Sequence, residues 1–262
     1  MGIDYNLSEW LNLIVRWFHV FVGIMWIGQT FLFTWMDRAL NSEESLWLVH
    51  SGGFYVVERQ KIPRALPQTL HWFRWEAAMT WLSGMALLII VYYLGGLMET
   101  QALRGVGISI LVGFVFLVLA WIIYDAIWVS PIARNEPAAA VVSLILLFGL
   151  VFGITHVMSG RAAYIHIGAM LGTFMTANVW LRILPFQRQM VGAVKKGIPP
   201  DMSLGERAKQ RTKHNNYMVV PVVFIMISNH FPVATYGNQY NWLVLITLMI
   251  IGGLAAKALR SR

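Results

Sequence analysis

Long apolar runs separated by short polar segments recur seven times along the chain and set the expected architecture. They fall at about 10–36, 68–94, 105–128, 138–157, 161–184, 215–230 and 239–257. Each approaches or exceeds the roughly 20 residues that cross a bilayer as helix, the sixth being the shortest. The runs lack the alternation of barrel strands, and only helices or closed barrels satisfy backbone groups in lipid. The pattern predicts an all-α fold: a polytopic membrane helix bundle of about seven transmembrane helices, forming a single membrane domain over residues 1–262.

Two sizeable polar segments interrupt it. The first, 37–67, holds Ser51-Gly52-Gly53 and an alternating run from Phe54 to Arg59 that reads as a short extended segment, with Pro63 and Pro67 closing it. The second, 185–213, is basic; its 204–211 part reads as a surface helix with a lipid-facing electrostatic role. Gly149/Gly153 and Gly168/Gly172 place small residues four apart, a spacing that permits close helix contact.

Charge gives an orientation. If the N-terminus lies outside, fifteen Lys and Arg fall in inner segments against only Arg104 and Arg161 in outer ones. Such a bias predicts N-out and C-in topology. It also accounts for most of the net charge of +8, so no nucleic-acid partner is needed. Hydrophobic residues make up 58% of the 262 and charged ones 12%, outside the range of soluble domains. Asp4, Glu9 and the length of the first run argue against a cleaved signal peptide. With no cysteine, disulfides, thiolate metal clusters and a covalently attached c-type haem are excluded within this sequence.

Six of the seven histidines lie in the apolar runs or at their ends, where ionisable groups are costly and usually have a task. His19, His156, His166 and His230 form an outer layer. At about 1.5 Å per residue, His19 and His166 sit roughly 13 and 8 Å below the outer surface. Haem b needs no cysteine and accepts neutral imidazole, so a pair among His19, His166 and His230 is the expected haem site. His156, at a helix end beside Ser159-Gly160, is the expected bystander. Arg16, one turn before His19, either meets a haem propionate or snorkels outward.

The inner layer holds His71, Arg74, Glu76, Asp125, Asn178, Arg182 and His214, with His50 in the adjoining loop. His71 and Arg74 are placed on one helix face and Asn178 and Arg182 on another. Guanidinium groups suit a planar anion, which makes this layer a candidate substrate cavity. The alternative is internal ion pairing, such as Arg74 or Arg182 with Asp125. His71 and His214 are also the pair that could ligate a second haem. Trp10, Trp17, Trp128 and Trp242 fit interfacial belts.

Several strings carry a family resemblance. They are Phe18-His19-Val20-Phe21-Val22-Gly23, Gly52-Gly53-Phe54-Tyr55, Leu70-His71-Trp72-Phe73-Arg74-Trp75-Glu76, His166-Ile167-Gly168-Ala169-Met170, Ala177-Asn178-Val179, Lys209-Gln210-Arg211, His214-Asn215-Asn216-Tyr217 and Ser228-Asn229-His230-Phe231-Pro232. Together they resemble the membrane domain of the bacterial integral-membrane urate oxidases. The resemblance implies oxidation of urate to 5-hydroxyisourate in the bacterial inner membrane, with electrons passed to a cytochrome c. The typical member carries that cytochrome at its C-terminus; here no Cys-x-x-Cys-His precedes Arg262, so either a truncated form or a separate cytochrome is expected. A Gly is expected where Ser51 stands.

On this reading Arg74, Asn178, Asn215 and His50 bind urate, and His71, Glu76 and His214 are catalytic. His71 or His214 takes a proton as C5 becomes electrophilic and water adds, because imidazole is suited to general-base work near neutrality. Electrons then leave through haem b. Two other classes fit the same pattern: a haem-b electron-relay subunit of a membrane redox complex, and a transporter. Broken helices would mark the transporter.

Overall fold

The computed structural model describes residues 2–95, 97 and 106–261. The chain runs as α1 (Gly2–Ala39), β1 (Ser45–His50), β2 (Gly53–Glu58), α2 (Trp75–Leu87), α3 (Val106–Val129), α4 (Glu136–Val157), α5 (Gly160–Ala177), α6 (Leu184–Lys195), α7 (Met202–Ser228) and α8 (Asn241–Ser261). Among the described residues six helical stretches are long and apolar enough to cross a membrane, and α7 packs with them. The protein is an all-α, multi-pass membrane helix bundle. α1, α3, α5–α6 and α8 end, and α2, α4 and α7 begin, at the side that carries the β1–β2 hairpin, called here the hairpin end.

Local chemistry sets the boundaries. Asn135 caps α4 by accepting from the Ala138 amide, with Pro137 in the first turn where its missing N–H costs nothing. Ser159 and Asp201 cap α5 and α7 by accepting from Ala162 and Ser203. The central helix is α5: Tyr164, Ile167 and Met170 are fully buried, packed by α2, α3, α4 and α7. The outer faces of α1, α3 and α4 present Leu, Ile, Val and Phe to their surroundings, as lipid-facing helices do.

Several expected boundaries move. The second span begins at Trp75 rather than residue 68, so His71 and Arg74 sit on an extended approach and do not share a helix face. Phe73 anchors that approach edge-on against Phe33 of α1, with ring centroids 4.9 Å apart. The sixth span is the 27-residue α7, which absorbs the expected surface helix and the C-terminal part of the second polar segment, while α6 takes its N-terminal part. Pro185 does not end the fifth span. An i→i+5 stretch, Asn178–Ile183, precedes it and leads directly into α6, relaxing the turn that proline would break.

The first polar segment is a hairpin whose second strand matches the expected extended run. Ser51 and Gly52 have φ of 49° and 76°, both left-handed, as a two-residue turn requires. That backbone favours the glycine expected where Ser51 stands. Arg59 fixes the hairpin to the end of α1 by donating to Asp37 and Asn41 side chains and to the Leu40 carbonyl. Of the expected glycine contacts, only Gly168 is close: a Cβ there would lie 2.9 Å from Met226 on α7. Gly149, Gly153 and Gly172 meet nothing within 4 Å.

Candidate functional site

The polar groups of the hairpin half divide into two sets. One is closed. Asp125 on α3 accepts from Arg182 of the i→i+5 stretch and from Arg211 Nη2 of α7, the latter at 2.9 Å. Arg211, only 3% exposed, also reaches Asn178 Oδ1 and lies over the Tyr124 ring. Asn178, fully buried, donates to Tyr124 Oη (3.0 Å) and to Asn215 Oδ1 (2.9 Å). Asn215 in turn donates to the Met175 carbonyl. Asn178 and Asn215, expected to meet substrate, thus join α3, α5 and α7 to one another. The internal ion pairing foreseen for Arg182 and Asp125 is present, with Arg211 added.

The second set is open and lies where α2, its extended approach and the i→i+5 stretch meet. Arg74 packs over Trp75 (5.5 Å to the ring centroid), and Trp75 meets Trp180 edge-on at 5.6 Å. Arg74 Nε and Trp180 Nε1 are both buried and have no hydrogen-bond partner among the described residues. Leaving a buried donor unpaired costs about 1–3 kcal/mol, so two of them on side chains that contact one indole suggest acceptors supplied from outside the chain. Trp75 is 54% exposed, which leaves its ring free to stack. Glu76, at the start of α2, is held by Gln29 Nε2 of α1 at 3.1 Å. His71 is exposed and packs edge-on against Phe73 at 4.5 Å. His50 lies apart at the hairpin turn, bonded to Ser51 Oγ.

The outer histidines do not converge. His166 is fully buried with both ring nitrogens engaged, Nδ1 by the Ala162 carbonyl (2.7 Å) and Nε2 by Tyr93 Oη (3.1 Å). Gly113 closes over it; a Cβ there would stand 2.6 Å from Nε2. Both ring nitrogens are thus taken up within the bundle. His19 turns instead toward α2, with Nδ1 at 3.0 Å from Thr80 O and Ser83 Oγ. His230 is exposed beyond the end of α7. The residues present there do not fit haem as a shared ligand pair. Arg16 bonds Asn12 one turn back, and His156 bonds the Phe152 carbonyl.

His214 faces elsewhere. It lines a cavity of about 700 Å³ between α3, α4, α7 and α8. Its Nδ1 lies 2.7 Å from Tyr124 Oη, and its ring stands 4.0 Å from that of Trp128. His71 does not line this cavity, so the two do not form a ligand pair across it. Trp128 is 9% exposed and donates to Ser143, a buried residue rather than a belt residue.

A model of the urate oxidase N-terminal family matches residues 5–262, nearly the entire chain. The chain belongs to that family. No curated protein and no solved structure matches it. Membership in the urate oxidase family makes the chain an oxidoreductase domain acting on urate, carried by a multi-pass membrane bundle.

Within this urate oxidase domain, sequence reasoning missed Trp180, Gln29, Tyr124 and, as a site residue, Arg211. Arg211 stood in a matched string but looked like a loop charge. Trp180 lies two residues from Asn178, in the stretch where the helix register changes. Such i→i+5 turns are frequent at functional sites.

Proposed function

We propose that the chain oxidises urate to 5-hydroxyisourate at the Arg74–Trp75–Trp180 set, at the cytoplasmic side of a bacterial inner membrane. The observation that carries this is the pair of buried donors, Arg74 Nε and Trp180 Nε1, unpartnered among the described residues and both belonging to side chains that contact Trp75. Urate is a flat anion rimmed with carbonyl oxygens and ring nitrogens. A forked cation and an indole N–H match those acceptors, and an exposed indole face matches the ring. The hairpin end bears most of the Lys and Arg, which supports N-out, C-in topology and attracts an anion.

The reaction adds one water oxygen at C5 and releases two electrons and two protons. His71, next to Arg74 along the same approach, takes the first proton as C5 becomes electrophilic. Glu76, oriented by Gln29, takes the second as water adds. The closed network behind them holds the Asn178–Ile183 stretch in register and so positions Trp180. Haem b, where bound, supplies one-electron carriage toward a cytochrome c, a domain of the same protein or a separate one.

Anaerobic turnover tests the reading. Purified protein given urate and oxidised cytochrome c forms 5-hydroxyisourate with two cytochromes reduced per urate. No urate-dependent reduction of cytochrome c or of a soluble artificial acceptor would remove it.

A further inference from the structure

We infer that the cavity between α3, α4, α7 and α8 is a haem b site with His214 as its axial ligand. This rests on the electron-relay part of the proposed function and assigns the relay to residues on the side of the bundle away from the outer histidines.

Four observations carry it. First, His214 is the one histidine lining the cavity, and only its Nδ1 is engaged, by Tyr124. A metal-ligating imidazole characteristically has its other nitrogen hydrogen-bonded in this way, which fixes ring and tautomer. The required tautomer is available: Tyr124 can donate to Asn178 Oδ1 (3.4 Å), and its oxygen then accepts from His214 Nδ1–H as well as from Asn178 Nδ2, with the Nε2 lone pair free. Second, the walls are apolar, including Ile127, Leu147, Phe148 and Leu171, and the volume of about 700 Å³ falls within the roughly 300–1,000 Å³ of cofactor pockets. Such walls suit a porphyrin face and offer nothing to urate.

Third, the hairpin end of the cavity is rimmed by Lys213 and Lys257, with Glu136 paired to Lys213 at 2.7 Å. Two propionates need cations at one edge of the ring, and this is the edge that has them. Fourth, Met170, Met218 and Met249 line the same space, so a thioether is the second axial ligand on offer. The contrast with His166 is direct. That imidazole is sealed on both nitrogens, whereas His214 is fixed on one and open on the other.

The test is optical and does not depend on turnover. The full chain is purified from haem-replete cells, and its Soret band and haem-to-protein ratio are measured. His214→Gly should lose the band and regain it with added imidazole, which also shows that the variant is folded. Tyr124→Phe, which keeps the ring and removes the hydroxyl, should weaken haem retention by about 10–100-fold. Leu144→Trp, filling the cavity with His214 intact, should lose haem as well. An unchanged band in His214→Gly would overturn the assignment while leaving a haem relay standing elsewhere. A haem-free wild type, with the cavity holding lipid, would overturn both. Urate-dependent reduction of a soluble acceptor would still report separately on the oxidation itself.

Discussion

Arg211 Nη2 stands 2.9 Å from Asp125 Oδ1, and this contact ties α7 to α3 inside the hairpin half of the bundle. The same carboxylate also receives Arg182, so one anion restrains two cations from different helices. Buried pairs contribute little relative to an apolar core, but removing one partner strands the other charge. Asp125→Ala should therefore destabilise the fold by about 3–5 kcal/mol, read as a lowered Tm in detergent. Asp125→Ala combined with Arg211→Met should recover part of the loss. Equal Tm values for wild type and Asp125→Ala would show that the contact is dispensable.

Arg74 is the cation proposed to bind urate, and its Nε has no hydrogen-bond partner among the described residues. Arg74→Ala should raise the urate KM by about 10–100-fold, as expected for a lost charge-assisted hydrogen bond. The kcat should fall less, because the contact is made in the ground state as well as the transition state. Steady-state kinetics with a soluble acceptor decide this. A change confined to kcat would place Arg74 in the chemistry rather than in binding.

His166 is held inside the bundle. Both its nitrogens are bonded within the protein, to Ala162 and Tyr93. His166→Phe should leave the haem-to-protein ratio of the purified protein unchanged while lowering thermal stability. Loss of haem in this variant alone, with stability intact, would restore the outer ligand site.

Gly160 starts α5 against the backbone before α8; an added Cβ would lie 2.2 Å from the Tyr236 carbonyl. The contact is with backbone and cannot be relieved by a side-chain rotation. Gly160→Ala should cost about 1–3 kcal/mol through overpacking, seen as lower yield of monodisperse protein and a lower Tm. Gly149→Ala, where nothing lies within 4 Å, should do neither.

Much of the fold was legible because bilayer thickness imposes length and apolarity on a spanning helix. α3 and α4 match their apolar runs to within a few residues. What hydropathy concealed is that α7 runs unbroken from the polar segment into the sixth apolar run. Its first half carries Lys209, Arg211, Lys213 and His214, and it reads as a surface helix because the polar face that turns inward onto Tyr124, Asp125 and Asn178 looks solvent-facing in sequence. The site was legible as residue types and not as partners. Depth brought His19 and His166 together, but depth does not tell whether a ring nitrogen is already bonded. Glu76 and Arg74 were visible as charges, whereas Trp180 stood among twelve tryptophans with nothing in the sequence to single it out. Its distinction is an unpaired N–H, which only the packing reveals.

The most direct test of the account is anaerobic equilibrium binding of urate to purified wild type and to Trp180→Phe. Phenylalanine keeps an aromatic ring against Trp75 and removes only the unpaired donor. A Kd raised by about tenfold in Trp180→Phe, with an unchanged Tm, is the predicted result. Identical Kd values in the two proteins would contradict the placement of urate between Arg74 and Trp180.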